Sequence, residues 1–221
     1  MKRLNLLVGG PKALYPTDWQ RLPGEWVGVD RGTLHLLQAG LTPVFAVGDF
    51  DSLTAAEHQQ VLQQVTDVHA KTNQDETDTD MAVRLAFEHH QATEVCLVGA
   101  TGGRIDHFLA NLFLPTQPRF VAYTNQITMI DAENFIQFYQ PGHYQLTALP
   151  GYRYLGIVSL TAIAHLEIQG AKYPLPDWSS QMPFSWASNE FLPEQPAQIS
   201  WTDGVVAVIQ SRDLHGQQQD N

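Results

Sequence analysis

The pattern of apolar residues changes near the middle of the sequence, and this change constrains the fold more than any other feature. Up to about residue 123, short apolar runs alternate with helix-like stretches, whereas beyond residue 125 the runs continue without a helical period between them. The first pattern is typical of a parallel sheet flanked by helices, and the second of an antiparallel β-sandwich or barrel. We therefore predict an α/β domain over residues 1–122, an all-β domain over residues 123–215 and a polar tail over residues 216–221.

The individual elements follow from the apolar runs and the turn signals between them. In the first domain, strands are predicted at residues 4–8, 26–29, 44–47, 65–69, 94–98 and 120–123, and helices near 32–39, 55–64, 79–90 and 105–114. In the second domain, strands are predicted at residues 127–130, 135–139, 144–149, 154–160, 165–168, 199–201 and 205–209. Asp203-Gly204 is predicted to form a hairpin turn between the last two strands.

The charge balance is acidic, with 23 Asp and Glu against 12 Lys and Arg and a net charge of −11. Binding to nucleic acid or to a membrane surface needs clustered basic residues, so we expect neither as a partner. The single cysteine, Cys96, lies in an apolar run and is expected in the core without a disulfide. Neither a signal peptide nor a run of the ~20 apolar residues needed for a membrane span is visible, so we expect a soluble cytoplasmic protein.

Acidic residues follow several predicted strands of the first domain. The set comprises Asp30, Asp49, Asp51, Asp75, Asp78 and Asp106. The carboxyl ends of parallel strands meet at one edge of a sheet, where ligands bind, so these carboxylates could converge on one crevice. Gathered carboxylates repel one another unless a cation binds them, and Mg²⁺ prefers such oxygen ligands together with phosphates. For each aspartate taken alone, a turn or helix-capping role remains the simpler interpretation.

Two motifs sharpen this hypothesis. In Asp49-Phe50-Asp51, an extended backbone would place both carboxylates on one side and Phe50 on the other. In GATGGRIDH (99–107), Gly102 and Gly103 allow the backbone to approach a phosphate, and Arg104 adds a positive charge at the start of a helix. The alternative for the second motif is an ordinary strand–turn–helix corner. Neither GxxxxGK[ST] nor GxGxxG occurs in the sequence.

The remaining candidates are less distinctive. His107 lies next to Asp106 and is interpreted as a positioning or packing residue, while the other histidines, such as His35 and His90, show no metal-ligand spacing. In the second domain, Tyr173 offers an aromatic face, and the SNEF segment (188–191) offers polar groups that could contact a heterocycle. The alternative is sandwich packing with a polar loop.

The order and spacing of these motifs resemble the bacterial thiamine pyrophosphokinase family. The resemblance rests on VDRG (29–32), VGDFDSL (47–53), QDETDTDMA (74–82), GATGGRIDHFLANL (99–112), GAKYPL (170–175) and SNEF (188–191). It implies an ATP-binding α/β domain, a thiamine-binding β domain, Mg²⁺ as cofactor and a homodimer with active sites between subunits. The implied activity is transfer of the diphosphate of ATP to thiamine, giving thiamine diphosphate and AMP.

The resemblance also implies roles for single residues. Asp49, Asp51 and Asp78 match the magnesium and catalytic site, and Arg104 and Asp106 match the catalytic pair beside the transferred phosphates. The implied ATP-binding residues are Asp30, Gln74, Thr77, Gly102, Gly103, Arg104 and His107. Tyr173 matches the position that stacks on thiamine, and Ser188 and Asn189 match residues that contact its aminopyrimidine ring. Two rivals remain at this point: a magnesium-dependent nucleotide hydrolase and a binding module without catalysis.

Overall fold

The computed structural model describes residues 1–71 and 75–213, and their contacts divide the chain into two compact units. The first unit comprises Met1–Leu114 and Gln126–Ala132. The second comprises Pro115–Asn125 and the chain from Glu133 onward. The first unit contains helices and strands, and the second contains strands and short 3₁₀ turns.

The first unit contains a parallel sheet with helices. Its strands are β1 (Arg3–Val8), β2 (Glu25–Val29), β3 (Phe45–Val47), β4 (Val68–His69), β5 (Glu94–Val98) and β6 (Ile127–Ile130), in the spatial order β6-β5-β1-β2-β3-β4. Its helices are α1 (Arg31–Gln38), α2 (Ala55–Gln64), α3 (Asp78–Glu88) and α4 (Ile105–Phe113). The longest of them has 11 residues, and within the described chain no helix is long and apolar enough to cross a membrane.

Local signals explain where the helices of this unit begin. The side chains of Thr54 and Thr77 each accept a hydrogen bond from the backbone N–H three residues later, at Glu57 and Asp80. The side chains of Glu57 and Asp80 in turn accept a hydrogen bond from the backbone N–H of the threonine. These reciprocal capping boxes satisfy backbone donors that the first helical turn leaves unpaired. Helix α1 packs on β1 and β2, while α3 packs on the three strands β1, β2 and β3. The strands of this sheet are largely buried. Cys96 of β5, for example, is 1% exposed, as predicted for a cysteine in the core.

The second unit is an antiparallel sandwich, as predicted. One sheet contains β7 (Asn134–Tyr139), β9 (Tyr154–Ser159), β12 (Phe184–Glu190) and β14 (Val206–Ser211), and the other contains β8 (Gly142–Leu146), β10 (Ile163–Gln169), β11 (Leu175–Ser180) and β13 (Ala197–Trp201). Apolar residues of both sheets, such as Ile157 from the first and Leu166 from the second, form one buried cluster. Face-to-face packing of this kind is the defining property of a β-sandwich.

Two expectations near residue 123 are wrong. The apolar run at residues 120–123 is not a strand, because Val121–Gln126 forms a 3₁₀ turn in which the Thr124 hydroxyl donates to the carbonyl of Pro115. The strand predicted at residues 127–130 exists, but it pairs in parallel with β5 and so completes the first unit instead of beginning the second. The two compact units are therefore not the two continuous segments that the apolar pattern suggested.

The second unit also differs from the expectation in its turns. Asp203-Gly204 does not close a hairpin, because β13 pairs with β8 and β10, whereas β14 pairs with β7 and β9 in the other sheet. Gly204 takes a φ of +95°, and a Cβ there would lie 2.1 Å from the carbonyl oxygen of Ala162, so a glycine is needed at this crossing between sheets. Strands β11 and β12 were not predicted at all.

Candidate active site

A pocket of about 870 Å³ opens at the carboxyl edge of the parallel sheet, entirely within the first unit. It is lined by the loops that follow β1, β2, β4 and β5 and by the first turns of α1, α3 and α4. Most of the predicted ATP-binding residues line it, namely Asp30, Thr77, Gly102, Gly103, Arg104 and His107, together with Asp78. Gln74 lies outside the described residues.

Asp30 lies between the pocket and the loop after β3. Its Oδ1 atom accepts a hydrogen bond from the backbone N–H of Phe50 at 3.2 Å, and its own φ of +51° is unusual for a residue with a side chain. Burial, then the charges of Asp78 and Asp49, and finally that of Asp51, raise the pKa of Asp30 from 3.8 to about 6, against the lowering effect of the Phe50 bond. Asp30 therefore lies close enough to the other three carboxylates for their charges to disfavour its ionised form.

The loop that carries Asp49 and Asp51 is folded tightly, and the predicted extended backbone is wrong. Phe50 has a φ of +55°, is 4% exposed and packs with Val61, whereas both aspartates are exposed. The N–H of Asp51 donates to Oδ1 of Asp49 at 3.1 Å. Both carboxylates still face solvent while Phe50 anchors the loop in the core. Such strain in the backbone is common at functional sites.

Asp78 is the first residue of α3 and has an unusual environment. Lys71 Nζ lies 3.3 Å from its Oδ2 atom, and both side chains are largely buried. Its Oδ1 atom is also buried but has no hydrogen-bond partner in the described part of the chain. A buried carboxylate oxygen without a donor is costly, and a hard cation would satisfy it. Asp78 therefore offers an oxygen ligand of the kind that Mg²⁺ prefers, whereas Asp49 and Asp51 are not among the residues that line the pocket.

The glycine-rich loop after β5 also lines the pocket. Gly99, Gly102 and Gly103 all have positive φ, and a Cβ on Gly102 would lie 2.2 Å from Leu14 Cδ1. The loop leads into α4, whose N-terminus favours anions. Arg104 there donates two hydrogen bonds to Asp106, at 3.1 and 2.6 Å, and the bonded guanidinium holds the pKa of that carboxyl below its usual range. Both side chains are exposed, and of the two only Arg104 lines the pocket.

Several pocket residues were not predicted. Three cations join Arg104 in the lining, namely Lys12, Arg31 and Lys71. Lys71 could have been found from the sequence, because it follows β4 at the same sheet edge as the aspartates. The same reasoning applies to the Gly9-Gly10-Pro11 turn after β1. His35 also lines the pocket; its Nδ1 atom lies 2.8 Å from the Tyr15 hydroxyl, and burial, helped by Lys12 and Arg31, lowers its pKa to about 4.

The candidate thiamine residues lie in the second unit around the start of β11 and the end of β12. Tyr173 is 56% exposed, so its ring is accessible. Asn189 is 2% exposed, and its side-chain amide accepts from the N–H of Tyr173 at 2.9 Å and donates to the carbonyl of Tyr173 at 2.8 Å. Ser188 is exposed, with a φ of +62°. Asn189 thus fixes the backbone that carries Tyr173.

Comparisons with known proteins agree with this architecture. The sequence profile of "Thiamin pyrophosphokinase, catalytic domain" matches residues 23–129, and that of "Thiamin pyrophosphokinase, vitamin B1 binding domain" matches residues 143–206. A thiamine pyrophosphokinase of Bacillus subtilis (strain 168) is 35% identical over 96% of this chain and 100% of its own length. The crystal structure of thiamine pyrophosphokinase from Bacillus subtilis superposes with a TM-score of 0.80, covering the same shares of the two chains.

Two further crystal structures are more similar. A protein from Lactobacillus plantarum is 48% identical and a thiamin pyrophosphokinase family protein from Enterococcus faecalis is 41% identical. Each has a TM-score of 0.89 and covers 96% of this chain and 100% of its own. The fold, the pocket and these matches define a transferase of the kinase class. The chain belongs to the thiamine pyrophosphokinase family.

Proposed function

We propose that this protein transfers the diphosphate group of ATP to the hydroxyethyl oxygen of thiamine, giving thiamine diphosphate and AMP. The observation that carries the proposal is the composition of the pocket in the first unit, where carboxylates and cations meet at one sheet edge. A triphosphate with its magnesium ion needs both kinds of group, whereas a neutral ligand needs neither. The family relationship supports thiamine as the acceptor.

The triphosphate is held by the cationic side of the pocket. Lys12, Arg31 and Arg104 supply positive charge, and the loop of Gly102 and Gly103 lets the backbone approach the phosphates. Asp49, Asp51 and Asp78 would hold Mg²⁺, which when bound offsets the charge of the phosphate groups. Arg104 leaves Asp106 to stabilise the group in transfer, which is possible because both side chains are exposed.

A carboxylate orients the attacking hydroxyl and accepts its proton. Asp78 and Asp106 are two candidates for this role. Arg104 depresses the pKa of Asp106, which makes that carboxylate a weak base in the arrangement described. Asp30 also lines the pocket, and burial raises its pKa to about 6, so we add it as a third candidate.

Thiamine is held by the second unit. The exposed ring of Tyr173 stacks on the thiazolium cation, an interaction of about 0.5–2 kcal/mol, and Ser188 contacts the aminopyrimidine. The net charge of −11 attracts the thiamine cation to the protein before contact is made. As the family resemblance implies, the working form is a homodimer with active sites between subunits. Its setting is the cytoplasm, where ATP is available.

The test is to incubate the purified protein with ATP and Mg²⁺, with and without thiamine, and to quantify AMP and thiamine diphosphate together. Equal amounts of both products, formed only when thiamine is present, support the proposal. Release of AMP or ADP without thiamine diphosphate would establish the hydrolase instead. Binding of thiamine and ATP without any product would establish the binding module.

A further inference from the structure

Three potential metal ligands meet beside β4, and none of them lines the pocket described above. Asp67 precedes β4 and His69 ends it, and residues two apart on a strand share a face. His90 follows the end of α3. Their ligand atoms all lie within 4.8 Å of one another, with His69 Nε2 2.9 Å from Asp67 Oδ1 and His90 Nε2 3.7 Å from Asp67 Oδ2.

Packing around Phe45 holds both imidazole rings. The ring of His90 stacks on Phe45 with centroids 4.2 Å apart and an interplanar angle of 14°. The ring of His69 meets the edge of Phe45 at 5.9 Å and 89°. Phe45 itself is fully buried in β3. The two histidines are therefore positioned before any ion arrives, which lowers the entropic cost of binding.

The Nε2 atom of His69 is not satisfied by a hydrogen bond. It is buried and makes no hydrogen bond to any residue within 1–71 or 75–213, although Asp67 Oδ1 lies only 2.9 Å away. Two ligands of one tetrahedral zinc ion, with bonds of about 2.0–2.1 Å, lie about 3.3 Å apart. The separations of 2.9 and 3.7 Å bracket that value, so small side-chain rotations suffice.

We propose that Asp67, His69 and His90 bind a divalent transition-metal ion such as Zn²⁺, separate from the magnesium site. Imidazole nitrogens select zinc-like ions, whereas Mg²⁺ prefers oxygen ligands, so the two sites take different ions. The side chains are 44%, 32% and 21% exposed, respectively, so the cluster lies at the protein surface. The site does not depend on the proposed reaction.

An ion at this site would stabilise the sheet edge that carries the catalytic loop. The carbonyl of His69 accepts a hydrogen bond from the N–H of Gly48 at 3.2 Å, directly before Asp49. An ion that fixes His69 to His90 ties β4 to the end of α3. Because the ion binds the folded state, it raises the midpoint of thermal unfolding as its concentration rises.

The test uses the metal-free, full-length protein in excess Mg²⁺, titrated with Zn²⁺ by calorimetry and with Co²⁺ by visible absorption. We expect one ion per chain with a tetrahedral Co²⁺ spectrum, and loss of more than about 100-fold in affinity in Asp67→Ala and His90→Ala. His165→Ala is the matched control, because His165 pairs with the exposed Asp177 at 2.7 Å and no third potential ligand joins them among the described residues.

Two results would overturn the proposal. One is the absence of stoichiometric Zn²⁺ binding to the parent protein. The other is binding that survives Asp67→Ala and His90→Ala but is lost in Asp51→Asn, which would place the ion among the catalytic carboxylates. Asp67→Ala removes no packing contact around Phe45, so it keeps the test valid if His90→Ala fails to fold.

Discussion

Lys71 Nζ lies 3.3 Å from Oδ2 of Asp78, while the other oxygen of the same carboxylate is buried and has no hydrogen-bond partner among the described residues. One side of Asp78 is thus neutralised by the protein and the other is available to a cation. The pairing with Lys71 limits the cost of burying the charge of Asp78.

The first prediction concerns this pair. Lys71→Met keeps the length of the side chain but removes its charge, so we expect the free energy of unfolding to fall by about 1–3 kcal/mol in the absence of Mg²⁺. The double variant Lys71→Met/Asp78→Asn should recover most of that loss, since the uncompensated charge is gone. Urea unfolding of the four proteins of the cycle measures the coupling. Independent, additive effects would show that the two side chains do not interact.

The second prediction concerns the pH dependence of stability. The pKa of Asp30 is about 6 in the folded protein and near 3.8 unfolded, so ionised Asp30 destabilises the fold as pH rises from 4 to 6. Asp30→Asn keeps the acceptor for the Phe50 N–H and removes the charge. We expect this variant to gain about 1 kcal/mol over the parent at pH 7.5, after allowing for solvent screening, and almost nothing at pH 4.

The measurement for Asp30 is denaturant unfolding of parent and variant at both pH values without Mg²⁺. The Asp30→Asn variant should also lose most of its turnover, because the carboxylate that destabilises the fold is also a proposed proton acceptor. An equal gain at pH 4 and pH 7.5 would mean that the charge of Asp30 is not the source of the effect.

The third prediction separates catalysis from folding at Arg104. Its side chain is 74% exposed, so Arg104→Gln should leave the thermal midpoint unchanged. Turnover should fall about 100-fold, because a positive group beside the transferred phosphates is lost. Arg119→Gln, which alters an exposed guanidinium outside the pocket, is the control. Similar activity of the two variants in a steady-state assay would remove Arg104 from the site.

The fourth prediction compares two neighbouring glycines. A Cβ on Gly102 would lie 2.2 Å from Leu14, whereas one on Gly103 would meet nothing closer than 3.7 Å; both residues have positive φ. We expect Gly103→Ala to cost about 1–2 kcal/mol of stability because of its positive φ. Gly102→Ala should cost slightly more, because the terminal Cδ1 atom of the half-buried Leu14 must also move away. Both should raise the KM for ATP, since the loop lines the pocket. Urea unfolding that ranks the variants in the opposite order would contradict the described loop.

The fifth prediction tests how Asn189 acts. Its amide holds the backbone of Tyr173, so Asn189→Ala should raise the KM for thiamine about 10-fold and leave that for ATP unchanged. If Asn189 acts through Tyr173, the double variant Asn189→Ala/Tyr173→Ala should be no worse than Tyr173→Ala alone. Additive effects on the KM for thiamine would instead show that Asn189 contacts thiamine directly.

The regular parts of the fold were predictable because their sequences are locally consistent. Helix α2 has exactly the predicted bounds, and its capping box of Thr54 and Glu57 is visible in the sequence. Strands β11 and β12 were missed because only one of their residues, Asn189, is buried, so no alternation of buried and exposed positions marks them. The pairing of β6 with β5 could not be predicted, because the sequence of a four-residue strand does not indicate which other strand it pairs with.

The site was predictable to the extent that topology determines it. The sheet edge gathers residues that follow different strands, and this brought Asp30 and Asp78 together with the glycine-rich loop as expected. The local backbone geometry was not predictable, because Phe50 has a positive φ where an extended backbone was predicted. The pairing of Asn189 with Tyr173 and the cluster of His69 with His90 depend on contacts between residues distant in sequence, which spacing does not reveal.

The most direct test of the proposed reaction follows the fate of each phosphorus atom. ATP labelled at either the α or the γ phosphorus is incubated with the protein, Mg²⁺ and thiamine. Transfer of an intact diphosphate predicts the γ label in thiamine diphosphate and the α label in AMP, in equal amounts. Appearance of ADP with the γ label in thiamine monophosphate, or of the γ label only in free phosphate or diphosphate, would contradict it.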